Sequence, residues 1–457
     1  MTKIKRCRSL TVAALLCAAA PCFAQEPMIV PAPAPSKLSS NVHLIDLPTA
    51  LRLAGAQNLD IQIARERVAE AKANDESALW QFFPSLTAGV SYRQHDNLLQ
   101  DVDGKIISVH KDSYAIGPTF VAQVDLGDAI YRKLAAHQLI KAADFALESQ
   151  RQDAIVAAAR GYLDLARSQW AVAVANDAVR ISTNYAGQVQ QALEAGIAFK
   201  GDLLRVQVQT ERDRLTLRQA QEQQRLAAAR LAETLHLDST VELVPSAKEL
   251  LRIELVSTNA SLDSLVRQAL SSRPELKENH SRVAAAQQEK KGAVYGPIIP
   301  TVGAQVFAGG LGGGRDGAPG RFGESEDYIF TLGWRVGPGG LFDRGRVDAV
   351  ESRLKIAQLS GNKLLDEITR QVIESQTRVQ SQADQVTTAK LAIQAAEETL
   401  RLSQARKEFA VGGVLETILA EQELTRARLD YLNALAEYNK AQYGLVWAVG
   451  GLLLQSR

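Results

Sequence analysis

The chain resembles itself. Leu47, Ala54, Asn58 and Ile61 precede Phe83-Pro84-Ser85-Leu86, and Leu262, Ala269, Arg273 and Leu276 precede Ile299-Pro300-Thr301-Val302. Further on, Ala195-Gly196 corresponds to Val411-Gly412, and Arg214-Leu215 to Arg428-Leu429. An offset that drifts by only one or two residues over so many positions points to tandem duplication, so one architecture must be built twice.

Each half reads as helix, strand, strand, long helix, break, helix. Residues 129–194 and 344–410 contain no proline and are dominated by Ala, Gln, Arg and Leu. At 1.5 Å per residue each run makes a helix of about 100 Å. The shorter helical stretches, 45–82 and 203–235, would cover a similar length if stacked end to end. Uncapped helical patterns this long imply coiled-coil packing. Between the helices lie four segments with apolar residues at every second position, at about 84–95, 113–126, 300–308 and 327–337. One apolar and one small or polar face suits a transmembrane barrel strand, and it also suits a half-buried soluble sheet. Four strands are too few to close a barrel, which takes about eight. Several copies around an axis would meet that deficit and also cover the helices' thin apolar stripes.

The organisation expected is a signal peptide at 1–24, a Pro/Ala-rich leader at 25–44, a first repeat at 45–236, a connector at 237–261 and a second repeat at 262–457. Lys3, Lys5, Arg6 and Arg8 precede an apolar run and the Cys22-Phe23-Ala24 cleavage box, the pattern of a secretory signal. All three cysteines, Cys7, Cys17 and Cys22, fall in that segment. The exported chain then has no disulfide, thiolate metal site or cysteine nucleophile. Of 52 Lys and Arg, four lie in the signal, against 51 Asp and Glu. The slightly acidic remainder argues against a nucleic-acid partner.

No catalytic constellation is expected, nor any cofactor. Gly312-x-Gly314-x-x-Gly317 runs into Ala318-Pro319-Gly320 rather than a helix and reads as a loop. Asp101-Val102-Asp103-Gly104 lacks the later ligands of a calcium loop and reads as a hairpin turn. The six histidines have no metal-ligand spacing.

These residues together resemble the TolC family of outer-membrane efflux proteins over about 45–453. Arg273-Pro274-Glu275-Leu276 is similar to the family's Asn-Pro-x-Leu, with Arg for Asn, while Asn58-Leu59-Asp60-Ile61 keeps the Asn and loses the Pro. Pro84 and Pro300 fit the proline before each first strand, and Leu341-Phe342-Asp343-Arg344-Gly345 the passage into the long helix. The resemblance implies a mainly α fold with a β-barrel part: a homotrimer whose 12-stranded outer-membrane barrel continues into a periplasmic α-helical coiled-coil tunnel. It implies a non-enzymatic export duct in outer-membrane lipid, serving tripartite efflux or type I secretion with a periplasmic adaptor and an inner-membrane pump. The resemblance also places acidic residues at a periplasmic constriction, Glu416 and more weakly Asp202, and adaptor-contact turns at Gly196, Gly412 and Gly413. Glu416 is equally read as a first-turn helix acid stabilised by the dipole. The alternative to the duct is a periplasmic coiled-coil adaptor or structural protein with a small soluble β domain.

Overall fold

The computed structural model describes residues 42–83, 85–238, 241–246, 250–315, 320–408 and 413–451. The expected signal peptide and most of the leader therefore lie outside the described residues. All described elements belong to one compact unit that starts at Val42.

A short strand β1 (Val42–Ile45) leads into helices α1 (Leu47–Gln57) and α2 (Leu59–Trp80). Strands β2 (Ser85–Gln100) and β3 (Ile106–Asp125) follow, then the 69-residue helix α3 (Leu126–Glu194) and α4 (Lys200–Thr234). Strand β4 (Glu242–Pro245) pairs in parallel with β1. The second half repeats the order: α5 (Leu262–Ser272), α6 (Pro274–Tyr295), β5 (Thr301–Arg315), β6 (Phe322–Gly333), the 65-residue α7 (Arg344–Glu408) and α8 (Val414–Ala448).

Aspartates start both long helices. Asp125 caps α3 by accepting from the Asp128 amide at 3.1 Å, which satisfies one of the unpaired N–H groups of the first turn. Asp343 does the same for α7, accepting from the Arg346 amide at 3.1 Å and the Gly339 amide at 2.8 Å. Those two amides hold its carboxyl below the ordinary aspartate range. Where α3 starts, its backbone touches the end of α6. A Cβ on Gly127 would lie 2.1 Å from the Gly296 carbonyl oxygen, so no larger residue fits there without backbone movement.

The pairing of α7 with α8 follows a heptad rule. In α8 the residues Ala420, Leu424, Ala427, Ala434, Tyr438, Ala441, Leu445 and Ala448 are buried, and with the partly buried Tyr431 they alternate in steps of four and three. In α7 the buried Val372, Val379 and Val386, the packed Ile393 and the buried Leu400 recur every seven. That spacing keeps one apolar seam facing the partner helix along its length. In the first half the core gathers Ala50, Leu51 and Ala54 of α1, Ile155 to Ala166 of α3, and Leu231 and Leu235 around the end of α4. A fully buried leucine such as Leu231 contributes roughly 1.5–3 kcal/mol over its exposed state.

The sheet corrects the expected fold class. The strands form one open four-stranded antiparallel sheet in the order β2-β3-β5-β6, with a separate two-stranded ribbon of β1 and β4. No closed barrel is present among the described residues. In place of the expected 12-stranded barrel and the tunnel continuous with it, the described chain shows an open sheet whose four strands leave β2 and β6 as edges. The ladder from β3 to β5 is itself interrupted at Gly117 and Pro118, where proline has no N–H to offer. The transmembrane strands and the outer-membrane placement rested on that barrel and are corrected with it. No described helix is long and apolar enough to cross a membrane.

Candidate functional site

The loop between α3 and α4 is built by its glycine. The Gly196 amide donates to Leu193 O at 3.0 Å and the Ile197 amide to Ala192 O at 2.9 Å. This is the pairing in which a left-handed residue closes a helix end, and Gly196 supplies it at φ 76°. The chain then turns immediately into α4, whose first turn holds Asp202. Asp202 pairs with Arg205 of the same helix at 3.1 Å.

On the other hairpin, Gly413 sits extended at the start of α8, with φ −82° and ψ 149°, and gives it no side-chain cap. Glu416 lies in that first turn, where a carboxylate is favoured by the helix dipole. It also pairs with Arg406 of α7 at 2.8 Å. Gly412 lies outside the described residues.

The two tips belong together. Tyr185 and Val189 of α3, Leu203 and Val206 of α4, and Ile418 of α8 form one buried cluster, with Val414 packed against it. Burial pushes the Tyr185 hydroxyl above the ordinary tyrosine range, with Glu421 and Asp202 adding to the shift and Thr417 opposing it. Asp202 and Glu416 thus flank one packed junction, each in a local ion pair with an arginine.

What the sequence reading passed over is the apolar surface here. Ile197 is 81% and Phe199 80% exposed, and Leu415 and Leu419 are about half exposed. The signal was present in Gly196-Ile197-Ala198-Phe199, apolar residues set directly after a turn glycine. Among the described residues no group of His, Cys, Asp or Glu could hold a metal ion.

The export-duct function is corrected by this geometry. The described residues form an open sheet and include no helix long and apolar enough to cross a membrane, and they fit a helical structural protein with a small β domain better.

No curated protein matches the chain. Solved structures do. A membrane protein from Pseudomonas aeruginosa superposes with a TM-score of 0.74 at 17% identity, covering 91% of this chain and 92% of that one. The CmeC outer membrane channel of Campylobacter jejuni gives a TM-score of 0.74 at 14% identity, with 90% and 87% covered. The outer membrane protein VceC of Vibrio cholerae gives 0.72 at 18%, with 89% and 96% covered. At such identities the likeness is one of fold. The sequence model described as "Outer membrane efflux protein" matches twice, over residues 50–235 and 265–451. With both halves matched, most of its length is accounted for, and the chain belongs to the outer membrane efflux protein family.

Proposed function

We propose that this protein is a periplasmic coiled-coil structural component of a tripartite efflux system, and that its paired hairpin tips dock the periplasmic adaptor. Membership of its family makes it a non-enzymatic part of passive transport and implies a tripartite partner set. The finer assignments are ours: an adaptor protein met at Gly196 and Gly413, an inner-membrane pump beyond it, and two further copies of the chain alongside. The copies would cover the exposed stripe of Leu204, Val208 and Leu215 on α4. Glu416 and Asp202 are our candidates for the narrowing where tips of neighbouring copies converge, since convergent carboxylates repel one another and attract cations.

The observation that carries the reading is the exposure of Ile197 and Phe199 on a hydrogen-bonded turn. Large apolar side chains held out on a closed helix end fit a docking contact better than a solvated loop. The test is co-purification of the full chain with its adaptor, comparing wild type with Phe199→Asp and Ile197→Asp. Loss of the adaptor with unchanged thermal stability supports the docking role. Equal recovery of the adaptor by all three proteins removes it.

A further inference from the structure

Where the long helices begin, α2, α3, α6 and α7 border a cavity of about 650 Å³, within the range of small-molecule pockets. Its walls carry four arginines: Arg132 of α3, Arg335 of the loop before α7, and Arg346 and Arg353 of α7. Three carboxylates face them, those of Asp125, Asp128 and Glu289.

Two of the arginines are engaged. Asp128 binds Arg132 Nε at 2.6 Å and Arg346 Nη2 at 3.4 Å, and Arg346 also donates to the Gly339 and Gly292 carbonyls at 2.9 and 3.3 Å. Asp125 is occupied in capping α3. Arg335 and Arg353 are exposed, and among the described residues neither makes an ion pair or a side-chain hydrogen bond. Other arginines of α7 do pair, Arg370 with Glu374 and Arg401 with Glu398, each at 2.6 Å. Glu289, likewise unpaired among the described residues, offsets one of the two free charges and leaves the cavity positive. Both helix starts are already capped by aspartates, Asp125 and Asp343, so an anion here meets guanidinium groups rather than open helix ends.

Just beyond the cavity, where the chain passes from helices to sheet, large apolar side chains stand in solvent. Trp80 and Phe83 mark the end of α2 with ring centroids 5.0 Å apart, and Tyr295 and Ile298 mark the end of α6. Trp334 directly precedes Arg335 and donates to Ile298 O at 3.0 Å. Each of these five is more than half exposed. Apolar side chains gathered in this way mark a contact surface. Two free guanidinium forks beside an aromatic collar complement a molecule with an oxygen-rich anionic head and an apolar body.

We propose that this cavity binds the phosphate group of an anionic amphiphile, a phospholipid with a phosphomonoester head. Arg335 and Arg353 take the phosphate oxygens, and Trp80, Phe83 and Trp334 cover the start of its acyl chains. This goes beyond the docking role proposed above and does not depend on it.

Isothermal titration of the purified full chain with dihexanoyl phosphatidic acid tests this. The wild type should bind it saturably, and more tightly than inorganic phosphate, which has no tails, or dihexanoyl phosphatidylcholine, which has no net charge. Arg335→Gln and Arg353→Gln should each weaken binding by about tenfold, the lower end for a hydrogen bond between charged groups. Glu289→Gln removes the opposing charge and should tighten it. Trp80→Ala should weaken binding of phosphatidic acid and leave that of inorganic phosphate alone. Arg378→Gln, on an exposed arginine further along α7, is the control and should bind as the wild type does. Because Arg335 and Arg353 have no partner to lose, thermal unfolding of their variants should match the wild type. The proposal is overturned by the absence of saturable binding, by affinity unchanged in both arginine variants, or by an equal loss in Arg378→Gln. Inorganic phosphate bound as tightly as phosphatidic acid also overturns it, since the collar then contributes nothing.

Discussion

Asn58 and Arg273 occupy equivalent places in the two halves, and each donates to a carbonyl at the far end of its own half. Asn58 Nδ2 reaches Thr234 O at 3.2 Å, and Arg273 Nη1 reaches Trp447 O at 3.0 Å. The same junction, where the short helices meet the ends of α4 and α8, is thus held by different side chains. Arginine is the longer and does more. It is 2% exposed, pairs with Glu275 at 2.9 Å, donates to Gln371 at 3.0 Å and lies 4.2 Å over the Trp447 ring. Arg273→Ala should cost about 3–5 kcal/mol, because it strands Glu275 without its partner. Urea unfolding followed by circular dichroism measures this. A loss under about 1 kcal/mol, the range of exposed ion pairs, would show that the buried pair matters little.

Trp447 also links this junction to a titrating group, since its indole N–H donates to Asp153 Oδ1 at 2.8 Å. Burial raises the Asp153 carboxyl above the ordinary aspartate range and Glu275 adds to the shift, while Trp447, Arg273 and Arg160 oppose it. A raised carboxyl means that the folded state holds a proton the unfolded state gives up. The stability it contributes is therefore present at low pH and lost as pH rises through the folded value. Asp153→Asn should remove that share of the pH dependence. The urea midpoint of wild type minus that of the variant should fall from pH 4 upward, flattening above the window. A difference independent of pH would exclude Asp153 as the group responsible.

The helices and the non-enzymatic family identity were legible because their signals are long and repeated. Proline-free runs and the Asn58/Arg273 correspondence survive a mismatch at any single position. The heptad seam of α8 was also readable but went unread, since alanine at 420, 427, 434, 441 and 448 looks like helix propensity rather than an interface. The sheet was misread from the opposite cause. Alternation in β2 or β6 records two unlike faces, and nothing in a period of two says whether the sheet closes. The apolar tip was missed because Ile197 and Phe199 look like core residues until the turn at Gly196 places them outside.

Gly196 carries a conformational demand that can be measured apart from packing. Its φ is 76°, and a Cβ added there would meet nothing within 4 Å. The cost of Gly196→Ala is thus backbone strain alone, about 1–2 kcal/mol. Gly196→Asn should cost less, because asparagine tolerates the left-handed region. Gly187, inside α3 and equally open, is the control: alanine there should stabilise by roughly 0.5–1 kcal/mol. Thermal unfolding of the three variants decides the matter, and equal effects at 196 and 187 would refute the strain.

Glu416 allows a separation of its structural from its docking contribution. Its partner Arg406 is 57% and Glu416 itself 42% exposed in the side chain, so solvent screens the pair. Removing it should cost at most about 1 kcal/mol, including the lost dipole contact of the first turn. Glu416→Gln should therefore unfold almost as the wild type does, and Arg406→Gln likewise. If Glu416 narrows the gap between neighbouring tips, Glu416→Gln should also weaken divalent-cation binding to the assembled protein, while Arg406→Gln, which unmasks the carboxylate, should strengthen it. Isothermal titration with Mg²⁺ separates the two cases. Unchanged binding in both variants would leave Glu416 as a first-turn helix acid and nothing more.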